Sequence, residues 1–419
     1  MWIVGSSFLP LGNVLSPSLP KTAPTGLVLL LSVLFANGIL AATMYLPSLP
    51  AMGRDFAVPA DTLPLTLTVY FATFAAGQLV YGPLSDRYGR RPLLLGGLVV
   101  MVLGSAACAL AGSLTALLWA RAIQGLGAAS AMAVGRAIVN DAYDRQKAAR
   151  ATATISASLA LAPIIAPLLG GLIEQYLGWR WNFWISGGIT AAVLLILMRR
   201  LPETHRPSGD AGPLLRGIAR AYGFLLTSRA FLTFGLLNLA IFAGLHGFNA
   251  GAPAVLIDTF GLSPVLFGIL AALGAAGFFI GALLSSWLVG RLGMTRLIDA
   301  GVVCMLAGAA GLALWVELLE PSVSAIIGAR LLWAIGMGLA LPNTVVAAVG
   351  VNPATLGAGA ALSGFLQTVG GGFGSAANSL FPAGDPLSLG LAFGGTAVFG
   401  GLVWLLNRGA AARVTNEKG

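Results

Sequence analysis

The sequence predicts an all-α membrane protein whose twelve transmembrane helices form two six-helix halves related by pseudo-two-fold symmetry. Three observations support this fold class. The 419 residues are 57% hydrophobic with a mean hydropathy of +0.89, which exceeds what an ordinary soluble domain can bury. Twelve apolar runs are long enough to cross a bilayer. Segments of the first half recur in the second, as in transporters built from repeats.

The predicted spans each contain about 20 mainly apolar residues, the length that a helix needs to cross the hydrocarbon. Glycine and proline occur inside them, which membrane bundles tolerate because neighbouring helices can approach closely. The predicted spans are 25–46, 64–84, 93–112, 116–138, 151–173, 181–198, 230–250, 264–289, 297–316, 322–346, 357–380 and 387–407.

The basic residues are distributed unevenly between the two sides of these spans. With both termini in the cytoplasm, 19 of the 23 lysines and arginines lie on the cytoplasmic side, and only Arg54 and Arg180 lie outside. The positive-inside rule therefore predicts a multi-pass protein of a bacterial inner membrane with cytoplasmic termini. The net charge of +9 then belongs to loops rather than to a nucleic-acid surface.

The longest loop separates two groups of six spans. The predicted organisation is an N-terminal segment 1–24, a first six-helix bundle 25–198, a cytoplasmic linker 199–229, a second bundle 230–407 and a cytoplasmic tail 408–419.

The two halves share an ordered series of residues, which indicates duplication. At a constant offset of 204 positions, Gly77, Arg87, Gly89 and Gly97 match Gly281, Arg291, Gly293 and Gly301. At an offset of 203, Pro50 and Asp55 match Pro253 and Asp258. Duplicated halves of like orientation place a transport site near the midplane between them.

Several motifs resemble those of a known family. The stretch "GPLSDRYGRR" resembles the signature between spans two and three of the major facilitator superfamily. The stretches "RAIQGLGAA" (121–129) and "APIIAPLLGG" (162–171) resemble its span-four exporter motif and its span-five antiporter motif. The stretches "MYLPSLP" and "RAIVNDAY" narrow the resemblance to the Bcr/CflA group of bacterial drug exporters.

The resemblance implies a cytoplasmic gate in the loop between spans two and three. In the family, the aspartate of this loop locks the halves together near span eleven, and its last basic pair can meet an acid at the end of span four. Gly82 and Gly89 would let the chain turn tightly. The implied gate consists of Gly82, Asp86, Arg87, Gly89, Arg90, Arg91 and Asp141. Alternatively, the arginines only anchor the topology. The second-half copy has Gly290 in place of Asp86, so the gate is predicted to be one-sided.

Two arginines lie within spans, where a charge is costly and usually functional. Arg121 is in span four with Gln124 one turn away, and Arg330 holds the matching place in span ten. The resemblance implies that Arg121 lines the cavity and takes part in proton coupling. The alternative is that Arg121 lies shallow and extends to the outer surface.

The span-five motif is predicted to be a packing and bending device. Pro163 and Pro167 interrupt the backbone ladder, and Gly170 and Gly171 permit close helix approach. The resemblance implies a hinge that favours export. Ala166 stands where the family usually has glycine.

The usual acidic residue of span one is replaced by Thr43, and all 14 acids fall in loops or near span ends. The 203-residue offset places His246 of span seven opposite Thr43. An imidazole titrates near neutral pH and could carry the coupling proton. The alternative is that His246 is a neutral hydrogen-bonding or packing residue.

The remaining midspan polar groups are neutral, which suits an amphiphilic ligand that is uncharged or anionic. Some of these groups could instead join helices. The predicted substrate and proton cavity consists of Asn37, Thr43, Tyr70, Arg121, Gln124, Phe242, His246, Asn249, Arg330 and Gln367.

Three functions are compatible with these features. The first is a secondary active transporter that exports small amphiphilic molecules by proton antiport and alternating access. The second is an importer or facilitator of the same fold, and the third is a non-transporting scaffold or sensor. No nucleotide loop, metal-ligand cluster or catalytic triad indicates an enzyme. The expected partners are a small-molecule substrate and the lipid bilayer, with no nucleic acid, no cofactor and no metal. The protein is expected to be a monomer driven by the proton gradient.

Overall fold

The chain forms a bundle of long helices. The computed structural model describes residues 26–205, 212–352 and 355–416, and no strand occurs within these ranges. The predicted segment 1–24, the middle of the predicted linker and the last three residues lie outside the described residues. The membrane helices are α1 (Leu27–Thr43), α2 (Leu65–Tyr88), α3 (Arg90–Ala109), α4 (Leu114–Ala142), α5 (Arg145–Tyr176), α6 (Arg180–Arg200), α7 (Arg229–Pro253), α8 and α9 (the two arms of Pro264–Leu318), α10 (Val323–Val349), α11 (Leu356–Asn378) and α12 (Pro386–Asn416).

Twelve spans follow from these helices. In the described part of the chain, 10 helices are long and apolar enough to cross a membrane. One of them, Pro264–Leu318, has 55 residues and breaks at Gly293, and its arms pack on the same turn of α10. It therefore folds back and supplies two spans. The twelfth span is α11, whose seven glycines among 23 residues lower its hydropathy. The predicted twelve-helix fold is confirmed.

The predicted repeat appears as repeated backbone geometry. Gly89, between α2 and α3, has φ 99°, and its counterpart Gly293, between α8 and α9, has φ 78°. Left-handed values of this kind favour glycine because it carries no Cβ. Gly77 likewise packs against α4 and Gly281 against α10, where a Cβ would meet Ala129 or the backbone of Ile335. Each half thus makes the same turn and the same close helix approach.

Polar side chains join helices inside each half. Asn37 of α1 donates to the Ser186 carbonyl at 3.0 Å and to Thr190 Oγ1 at 2.9 Å, both on α6. In the second half, Asn238 of α7 donates to Ser363 Oγ at 3.3 Å and accepts from Thr344 Oγ1 at 2.5 Å. Such bonds stabilise helix pairs because lipid offers polar groups no alternative partner.

The two ends of the molecule differ in composition and in contacts. We call the end that carries the loop between α2 and α3 the basic end, and the other the opposite end. The short helix Leu49–Phe56 follows α1 at the opposite end. There Arg54 pairs with Asp258 at 3.3 Å, and Ser375 Oγ donates to the Pro64 carbonyl at 2.7 Å. These contacts join the halves at the opposite end.

At the α5–α8 crossing, the backbones of the two halves approach closely. A Cβ added at Gly171 of α5 would clash with the Pro264 carbonyl of α8. A Cβ added at Gly268 of α8 would clash with the Pro167 carbonyl of α5. The two glycines therefore let the backbones touch, as small residues do in membrane helix pairs.

Candidate functional site

Arg121 lies in the interior of the first half. Its side chain has no exposed surface. It donates to the Ala41 carbonyl at 2.8 Å, to the Thr66 carbonyl at 3.2 Å and to Gln124 Oε1 at 2.6 Å. Because all of these acceptors are enclosed by helices of one half, the alternative in which Arg121 extends to the outer surface is wrong.

Aromatic rings surround the same guanidinium. Its carbon lies 4.6 Å from the ring centre of Tyr45, 4.3 Å from that of Tyr70 and 5.8 Å from that of Phe183. Ring faces attract a cation electrostatically, and carbonyl oxygens accept its N–H groups. The cation of Arg121 is thus held by oxygens and rings in place of a carboxylate.

Four further residues of the predicted cavity also make their hydrogen bonds within the first half. Gln124 donates to Ser105 Oγ at 2.9 Å, and the Tyr70 hydroxyl donates to the Gly38 carbonyl at 2.8 Å. Thr43 bonds to the Ile39 carbonyl of its own helix, and Asn37 bonds to α6. The structure therefore does not place Asn37, Tyr70, Arg121 and Gln124 on a wall shared by the two halves.

His246 lies where the two halves meet. Its ring centre is 4.5 Å from that of Phe71 on α2 and 6.0 Å from that of Phe242 on its own helix. The side chain is 7% exposed, and Nδ1 has no hydrogen-bond partner within the described residues. Nearby, Gln78 of α2 donates to Thr368 Oγ1 of α11 at 3.5 Å, next to the half-buried Gln367. His246 thus lies at the contact between the halves, with Phe242 beside it on the same helix.

Arg330 lies inside the second half. It is 6% exposed, and its guanidinium carbon is 5.1 Å from the ring centre of Phe248 and 5.0 Å from that of Trp333. With Asn249 it borders a cavity of about 20 Å³ between α7, α8 and α10. The predicted cavity residues Arg330 and Asn249 therefore share this separate, small space.

The predicted gate forms an ion-pair cluster at the basic end. Arg90 Nη1 lies 2.5 Å from Asp86 Oδ1, and Arg90 Nε lies 2.9 Å from Asp141 Oδ2. Arg90 also donates to Ser85 Oγ at 2.6 Å. All of these partners belong to the first half, so the cluster joins α2, α3 and α4 in this conformation.

The other gate residues have different surroundings. Arg87 is exposed and lies 5.2 Å above the ring of Tyr88. Gly89 makes the single-residue turn between α2 and α3 with its positive φ. Gly82 lies inside α2 and takes part in no turn, so the predicted turning role of Gly82 is wrong.

Glu203 completes the cluster and was not predicted. Its carboxylate accepts from the backbone N–H of Arg90 at 2.9 Å and of Arg91 at 3.2 Å. These are orphan donors at the start of α3, where negative charge is favoured. The arginine-rich stretch 199–206 contains this single acid, which is the signal that could have identified it.

The predicted hinge residues border the α5–α8 crossing. The helix α5 runs without a break through Pro163 and Pro167. A Cβ at Gly170 would clash with the Met44 carbonyl at the end of α1. Gly170 and Gly171 therefore place α5 against α1 of its own half and α8 of the other half.

The sequence matches one family over most of its length. The match is to the Major Facilitator Superfamily and covers residues 29–375. The chain belongs to this superfamily. It is a multi-pass membrane transporter and does not belong to an enzyme family.

Relatives within this superfamily have names that refer to drug resistance. The chain is 30% identical over 369 residues to multidrug resistance protein D of Escherichia coli (strain K12), which covers 87% of this chain and 91% of that protein. It is 33% identical over 322 residues to the chloramphenicol resistance protein of Pseudomonas aeruginosa, with 76% and 74% covered. It is 28% identical over 271 residues to a bicyclomycin resistance protein homologue of Haemophilus influenzae, with 64% and 67% covered. The resemblance to the Bcr/CflA group is confirmed.

Solved structures of other transporters share the fold. A bacterial homologue of the human lysosomal transporter Spinster, in an inward-facing and unoccupied conformation, superposes with a TM-score of 0.72 at 18% identity. The match covers 93% of this chain and 97% of that chain. At this sequence identity, the likeness establishes only the fold of this chain.

Proposed function

We propose that this chain exports small amphiphilic molecules across the bacterial inner membrane by proton antiport and alternating access. One observation carries the proposal. The halves touch at the opposite end through Arg54 and Asp258, while the Asp86–Arg90–Asp141 cluster at the basic end pairs within the first half. A transporter that opens to one side at a time needs its two ends in different states.

The orientation and the driving force belong to the same proposal. The excess of lysine and arginine puts the basic end and both termini in the cytoplasm. The conformation described is then closed to the outside. The proton gradient drives a monomer that needs no cofactor. The twelve described acids lie in loops or near helix ends, which favours neutral or anionic molecules over cations.

His246 is the proposed proton carrier. It lies at the contact between the halves, and its Nδ1 has no hydrogen-bond partner within the described residues. Arg330 of α10 is the charged side chain close enough to act on its ring. Since access to the middle changes as the halves move, a group at their contact can load on one side and release on the other.

The relatives' names supply the first probes. Chloramphenicol and bicyclomycin uptake into inverted vesicles that contain the chain should rise when the vesicles are acidified inside. His246→Gln should remove the dependence of this uptake on the pH gradient. Equal uptake with and without the gradient would contradict antiport. Uptake only into right-side-out vesicles would favour the importer, and no movement of a broad set of amphiphiles would favour the scaffold or sensor.

A further inference from the structure

Two arginines in matching positions are compensated differently. Nε and Nη1 of Arg121 on α4 donate to three oxygen acceptors, while its Nη2 has no partner within the described residues. Within the described residues, Arg330 of α10 makes no hydrogen bond and no ion pair, and its Nη1 is sealed from solvent without a partner. The rings of Phe248 and Trp333 are the groups that face its charge. The second half therefore contains a buried cation whose donors are unused.

Arg330 also lines a cavity of suitable size. The cavity of about 20 Å³ is lined by Arg330, Asn249 and apolar residues that include Phe248, Phe267, Leu270 and Ile327. Asn249 also makes no hydrogen bond within the described residues. A space of this size holds about one water-sized particle. A drug-sized molecule needs several hundred cubic ångströms, on the order of 300 Å³ or more.

The electrostatics of the cavity favour an anion over a neutral molecule. A cation removed from water is costly unless an opposite charge or good hydrogen bonds compensate it. Ring faces supply only part of that compensation. A guanidinium remains charged in proteins and presents several N–H donors in a fixed plane. A small anion in the cavity would accept hydrogen bonds from these N–H groups and neutralise the charge of the guanidinium at the same time.

We propose that Arg330 and Asn249 bind a small inorganic monoanion of the chloride class inside the second half. The site lies between α7, α8 and α10 of one half. These three helices belong to the second half, whereas the transported molecule is expected at the contact between the halves, and Arg330 is close enough to His246 to act on its ring. Chloride binding stabilises the second half in this conformation.

The test measures anion-dependent stability of the full-length chain in detergent. Chloride or bromide replaces gluconate at constant ionic strength, and the thermal unfolding temperature is recorded. We expect a saturable rise with chloride and bromide, and none with benzoate. Arg330→Gln should raise the half-saturating chloride concentration at least about tenfold, which corresponds to about 1.4 kcal/mol of binding free energy. Asn249→Ala should raise it by a smaller factor.

The matched control is Arg296→Gln, which removes one exposed arginine of the same half and should leave the chloride response unchanged. If Arg330→Gln does not fold, the comparison uses chloride NMR line broadening, which should be present with the unsubstituted protein and weaker with Asn249→Ala. An unchanged response in Arg330→Gln, a response to benzoate, or no response to any halide would overturn the proposal. The measurement involves no transport, so it fails or succeeds independently of the export assay.

Discussion

At the scale of single residues, Arg90 is the centre of the cluster at the basic end. Its side chain is 10% exposed and lies between Asp86 and Asp141, which are each 24% exposed. Arg90→Gln would leave two carboxylates close together without their cation. Removing one partner of a buried pair is costly, and we expect a loss of roughly 2–3 kcal/mol because this pair is near the surface.

The neighbouring Arg87 provides the control for this change. It is exposed and lies over the ring of Tyr88, so Arg87→Gln should change stability by less than about 0.5 kcal/mol. Thermal unfolding of the two variants in detergent makes the comparison. Equal losses of stability in the two variants would show that Arg87 and Arg90 serve only to anchor the topology of the chain in the membrane.

Glu203 gives a second prediction at this scale. Its carboxylate accepts from two backbone N–H groups at the start of α3 and also from those of Thr204 and His205. Glu203→Ala should therefore cost about 1–2 kcal/mol, the range for loss of a helix cap. Glu317→Ala, at an exposed position near the end of α9, serves as the control in the same unfolding measurement. A loss no larger than that of the control would contradict the capping role.

At the scale of elements, we expect the α5–α8 crossing to determine whether the opposite end can close. Gly171 faces the backbone of Pro264, which cannot move aside as a flexible side chain can. Gly171→Val should therefore open the opposite end and reduce transport at least about tenfold, since overpacking typically costs 1–3 kcal/mol, about one to two factors of ten in population.

Ser375 reports on the same closure. It is fully buried and bonded to the Pro64 carbonyl between the halves. In a Ser375→Cys background, Gly171→Val should raise the rate of reaction with a water-soluble thiol reagent. Gly188→Val on α6 is the control, because a Cβ there meets no atom within 4 Å. Equal reaction rates of the Ser375→Cys thiol in the Gly171→Val and Gly188→Val variants would show that the α5–α8 crossing does not control closure of the opposite end.

At the scale of the whole molecule, the sequence predicted how deep each residue lies in the membrane better than it predicted which neighbouring helix the side chain faces. Hydropathy placed twelve spans, and the loop motif placed the turn at Gly89, whose repeat counterpart Gly293 makes the same turn, because both signals depend on local chemistry. Asn37 and Tyr70 were placed at the right depth, yet they face the first half instead of the gap. Which neighbour a polar side chain meets depends on how helices are arranged, and a single sequence does not contain that information. Phe71 was missed for the same reason.

The proposed alternation between two states makes a last prediction. Ser156 is exposed on α5, eleven residues and about three turns before Pro167, so it lies on the face that crosses α8 at the opposite end. If the halves separate at the basic end, this face borders water there. After Cys108→Ala and Cys304→Ala, Ser156→Cys should therefore react with a membrane-impermeant thiol reagent applied from the basic side.

Leu161 distinguishes water from lipid at this surface. It is 50% exposed but lies roughly a third of a turn away from the α8-facing side of α5. Leu161→Cys should therefore resist the same reagent, because thiolate chemistry needs water. A transported molecule that closes the basic end should slow the reaction of Ser156→Cys and speed that of Ser375→Cys. Both rates moving in the same direction would mean that the two ends do not alternate, because a cleft that opens to one side at a time must expose one position as it covers the other.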